Sequence, residues 1–73
     1  MIKLTRVLDA YFGDYTDYYT CEKNIASMTV VNDRTRFGYC QVTKITTFDG
    51  KTVGGTETPD EIFRKFEQDK KKS

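Results

Sequence analysis

Seventy-three residues with a net charge of +1 make one small domain and exclude the strong general attraction to nucleic acid that a basic protein has. A chain this short buries only about 60% of its unfolded surface, so its core is small. The 14% aromatic share argues against disorder, because disordered chains are poor in aromatics.

The first element is a half-buried strand over residues 2–8, IKLTRVL, with Ile2 and Leu4 on one face and Lys3 and Thr5 on the other. The amino-terminal stretch MIKLTRVLDAYFGD lacks the apolar centre of a signal peptide. No apolar run approaches the roughly 20 residues that cross a bilayer. The expectation is a soluble cytoplasmic protein with no membrane partner.

Residues 11–20 read YFGDYTDYYT, with aromatics at 11, 12, 15, 18 and 19 and aspartates at 14 and 17. Positions 11, 15, 18 and 19 would share one face of a helix. Gly13 and the surrounding β-formers favour a loop that leads into a strand. Tyrosine offers a large amphipathic area at low entropic cost, which suits a protein interface. Tyr11, Asp14, Tyr15, Asp17, Tyr18 and Tyr19 are therefore the candidate partner-binding residues, and the aspartates favour a partner with a basic surface. The competing expectation is that two or three of these rings fill the core.

YYTCEK, residues 18–23, alternates as a second strand, with Tyr19 and Cys21 on one face and Tyr18 and Thr20 on the other. SMTVVN, residues 27–32, predicts a third strand that ends in a turn at Asn32-Asp33. Residues 36–48 predict a fourth, long strand. Cys40 and Val42 share a parity that Ile45 breaks, so a bulge is expected near Thr43-Lys44. Asp49-Gly50 predicts a type I′ hairpin turn between TTF and KTV, and Gly54-Gly55 ends the fifth strand.

TPDEIFRKFEQDKKKS predicts a C-terminal helix, with Thr58 as N-cap, Pro59 at the first helical position and Glu61 completing a capping box. Ile62, Phe63 and Phe66 form its apolar stripe. Residues 1–69 are expected to form the domain and residues 70–73 a solvated basic tail. The fold class is mainly β, a meander of about five antiparallel strands in a curved sheet or an SH3-like barrel, with the helix packed on it.

MIKLTR at the start, NIASMTVVN in the middle and ITTFDGKTVGGTETPDEIFRKF at the end resemble the small flagellar FlbD/SwrD-type family, whose kind also occurs in bacteriophage genomes. That family begins with a nearly identical hexapeptide and ends with a β-hairpin, a threonine- or serine-headed box and a short helix. The resemblance implies a small β domain with no known catalytic residues. The tyrosine-rich segment 11–20 and the RTRFGYCQ segment depart from the pattern, and an individual function is expected there.

RFGYCQV, residues 36–42, is similar to the exposed-ring strand of RNA-binding domains. Phe37 and Tyr39 have i, i+2 spacing for base stacking, and Arg34 and Arg36 can reach phosphates. The alternative is that both rings pack against the helix stripe.

The chain has no histidine, and Cys21 and Cys40 lie outside any metal or redox spacing, so no cofactor or metal is expected and the thiols are expected buried and reduced. There is no nucleophile–base pattern and no phosphate loop, and Asp60 with Glu61 is explained by helix capping. A non-catalytic module is expected, a bacterial or phage accessory protein that binds and modulates a host protein, with inhibition as one form of that modulation. A nucleic-acid-binding β module and a structural homo-oligomer are the alternatives.

Overall fold

The structure, a computed structural model, describes residues 1–71. Five strands are followed by one helix: β1 (Ile2–Asp9), β2 (Asp14–Thr20), β3 (Ile25–Thr35), β4 (Gly38–Thr47), β5 (Thr52–Gly55) and α1 (Pro59–Lys71), with a single 3-10 turn at Glu22–Asn24 between β2 and β3. All pairings are antiparallel and the sheet order is β2-β1-β5-β4-β3. The expected mainly β fold with a C-terminal helix is therefore present, as an open curved sheet and not a closed barrel. It is not a simple meander. The four-residue β5 inserts between β1 and β4 and becomes the central strand.

Alternation in β1 buries Ile2 and Leu4 while Lys3 stays exposed. Those two residues join Ile45 of β4 and Ile62 and Phe66 of α1 in the core, with Tyr18, Ile25 and Met28 packed against it. The helix starts as expected: the Glu61 N–H donates to Thr58 Oγ1 at 3.2 Å, and Asp60 and Glu61 occupy the first turn. Phe63 does not join the stripe. It is 55% exposed, because the helix lays only its Ile62–Phe66 side on the sheet.

Lys70 and Lys71 belong to the helix and not to a tail, and Lys70 pairs with Glu22 at 3.2 Å. The expected tail positions 72 and 73 lie outside the described residues.

A narrow seam joins β1 to β5. Arg6 pairs with Gly55, and the Thr56 N–H donates to the Thr5 carbonyl at 3.1 Å. Where β5 has ended, the Glu57 carboxylate takes over and accepts the Thr5 N–H at 3.0 and 3.1 Å. The Thr43 hydroxyl donates to the Glu57 carbonyl at 2.7 Å. One glutamate thus stands in for a missing ladder rung.

Two expectations for β3 and β4 change. No bulge occurs at Thr43-Lys44, since pairing is regular from Gly38 to Thr46 and the irregularity falls at Ile25–Ser27. Val42 and Ile45 break parity because both faces of β4 bury apolar side chains, at 2% and 0% exposure. The chain does not turn at Asn32-Asp33. Both residues sit in the ladder opposite Gln41 and Cys40, and the turn comes at Arg36-Phe37, where Gly38 supplies φ 117°.

The Asp49-Gly50 hairpin is real but is not type I′, which needs positive φ at both central residues. Only Gly50 has it, at 87°. The Gly50 N–H donates to the Thr47 carbonyl at 3.0 Å and the Thr47 N–H to the Lys51 carbonyl at 2.9 Å. That pattern is a three-residue loop closed by a left-handed glycine.

Candidate functional site

The hairpin of β1 and β2 carries the tyrosine-rich segment. Asp9 Oδ1 accepts the N–H of Tyr11 at 3.0 Å and of Phe12 at 3.3 Å, which shapes the loop before β2. From Asp14 onward the strand alternates. Tyr18 and Thr20 pair with Leu4 and Ile2 and face the helix side, where Tyr18 packs on the core and Thr20 is buried.

Tyr15, Asp17 and Tyr19 pair with Val7, Thr5 and Lys3 and point to the opposite face. Tyr15 is 52% exposed, Tyr19 is 59% exposed, and Asp17 lies exposed between them. Asp14 is exposed where the strand opens opposite Asp9. Tyr11 is also exposed, with its ring edge-on to Phe12 at 5.0 Å between centroids. The six predicted residues therefore split. Tyr18 serves the core, and the other five lie on the surface of one edge strand and its loop.

The structure adds Phe12 and Arg36 to this region. The Arg36 guanidinium stands 5.8 Å from the Phe12 ring centroid and 5.5 Å from that of Phe37. A cleft of about 250 Å³ lies between the two hairpin tips, lined by Phe12, Tyr15, Arg36, Phe37 and Cys40 among others. The tips belong to hairpins on opposite edges of the sheet, so their meeting reports strong curvature. Phe12 belongs to the aromatic cluster of residues 11–20. Its arginine partner lies 24 positions away, and no local pattern connects them.

Arg34, Arg36, Phe37 and Tyr39 lie at the end of the β3–β4 hairpin. Arg34 and Tyr39 are ladder partners on the helix side of the β3–β4 hairpin, while Phe37 sits in the turn. Gly38, at φ 117°, lies between the two aromatic residues. Neither ring packs against α1, since Phe37 is 93% exposed and Tyr39 77%.

Cys21 and Cys40 are free thiols, half-buried and not fully buried as expected. Among the described residues no helix is long and apolar enough to cross a membrane.

No family model, curated protein or solved structure matches the chain.

Proposed function

We propose that the protein is a non-catalytic interaction module that engages a basic surface on another protein through β2 and the loop before it. The observation that carries this reading is the alternation of β2, which turns Tyr18 inward and leaves Tyr15 and Tyr19 exposed on either side of Asp17. Exposed tyrosines on a strand held by its neighbour lose little entropy on binding, and two-ring spacing gives an apolar contact of useful area. Asp14 and Asp17 steer a basic partner and reject an acidic one. As an edge strand, β2 also offers its outer backbone groups to a partner strand.

Affinity capture from nuclease-treated bacterial lysate tests the reading, with the unaltered protein and Asp17→Lys immobilised side by side. A protein retained by the first and lost from the second supports it. Identical retention by both baits overturns it.

A further inference from the structure

The opposite edge of the sheet is β3, eleven residues long, and its outer side is unpaired. Its first eight residues, IASMTVVN, contain no charge and no proline. Natural proteins blunt such an edge with lysine, proline or a covering element unless a strand is meant to pair with it. A bulge at Ile25–Ser27 interrupts only its beginning.

The two ends of this edge are chemically complementary. At the N-terminal end α1 leaves a groove of about 280 Å³ lined by Ile25, Met28, Phe63 and Phe66. Asp60 and Glu67, three residues before and four after Phe63, follow it on the same flank of the helix. At the other end Arg34 lies on the helix side of the sheet, in the same parity as Met28 and Val30. Neither ion pair found among the described residues uses Asp60, Glu67 or Arg34. Val30, at the midpoint of the strand, is 45% exposed.

We propose that the protein forms a two-fold dimer by antiparallel pairing of its β3 edges about Val30. In that register the beginning of each β3 lies opposite the Arg34 end of the other. Each Arg34 then stands beside the acidic flank of the other copy's α1, and the apolar groove is covered by the second copy's strand. The net charge of +1 opposes this association only weakly. The pairing uses the β3 edge and no residue of β2, the other edge strand, so this inference does not rest on the function proposed for β2.

Sedimentation from micromolar to millimolar concentration tests it. The expected result is a monomer–dimer equilibrium with a melting temperature that rises with concentration. Val30→Lys, which places two lysines at the two-fold, abolishes the dimer and leaves a folded monomer. Thr29→Lys, exposed on the same edge, does so without touching the helix side. Arg34→Glu weakens the dimer at least tenfold, and Arg34→Glu combined with Glu67→Lys restores it. A protein that stays monomeric at millimolar concentration overturns the proposal, and so does a dimer that survives both lysine variants.

Discussion

Val42 lies over Gly54 on the face of the sheet away from the helix, and a Cβ at Gly54 would stand 3.1 Å from Val42 Cγ1. Val7 approaches the same point, 3.8 Å away through its Cβ. The bare backbone of the central strand lets valines from the strands on either side close over it. Gly54→Ala is expected to destabilise the protein by about 1–3 kcal/mol, because buried Val42 has little room to yield. Combining it with Val42→Ala should recover part of that loss, since the two changes share one contact. Denaturant midpoints of the two single variants and the double check this, and strict additivity would show that the contact is not the cause.

A second consequence concerns the hairpin from β4 to β5. Gly50 occupies the left-handed region at φ 87°, with open space around the position of a Cβ. Any cost of substitution is therefore backbone strain and not a clash. Gly50→Val should lower stability by about 1–2 kcal/mol. Gly50→Asn should cost less, because asparagine tolerates that conformation.

Asp49 is a local source of acid sensitivity. The Asp49 carboxylate accepts hydrogen bonds from the Thr47 hydroxyl and the Lys51 N–H, which hold its pKa below the ordinary aspartate value. An acid depressed in the folded state adds stability above its unfolded pKa, and that share is lost as pH falls through the folded value. Melting temperatures measured from neutral pH downward should therefore fall more steeply for the unaltered protein than for Asp49→Asn. Parallel curves would remove Asp49 from the account.

The Glu57 carboxylate closes the seam between β1 and β5 by accepting the Thr5 N–H. Glu57→Ala leaves that backbone donor without its partner and should cost about 1–3 kcal/mol. Glu57→Gln keeps a carbonyl acceptor in place and should cost less. Hydrogen exchange at the Thr5 amide provides the direct readout, accelerating in the alanine variant before global unfolding does.

Much of this fold is legible in the sequence where the cause is local. Thr58, Pro59 and Glu61 mark the helix start, Ile2 and Leu4 mark the buried face of β1, and Gly50 marks a turn. The misreadings arise where the deciding partner is remote. Val42 looks like a register fault until Gly54 is brought beneath it. Asn32-Asp33 looks like a turn until β4 supplies ladder partners. The tyrosine segment is legible only in its second half. Alternation over residues 18–23 puts Tyr19 and Tyr18 on opposite faces, but Tyr15 reads as loop until its pairing with Val7 places it in β2, and only the packing of Leu4 and the helix shows which face is core. Arg36 meeting Phe12 depends on sheet curvature, which no short stretch encodes.

The most direct test of the central claim is a paired measurement, melting temperature and affinity for the captured partner, on Tyr19→Ala and Tyr18→Ala. Tyr19 is exposed on the outer face of β2 and Tyr18 packs against the core. The account predicts that Tyr19→Ala keeps its melting temperature and loses about 2 kcal/mol or more of binding. Tyr18→Ala should lose about 2–3 kcal/mol of stability, because truncating a ring that packs on the core leaves a cavity. Tyr19→Ala with a lowered melting temperature and undiminished affinity would contradict the account.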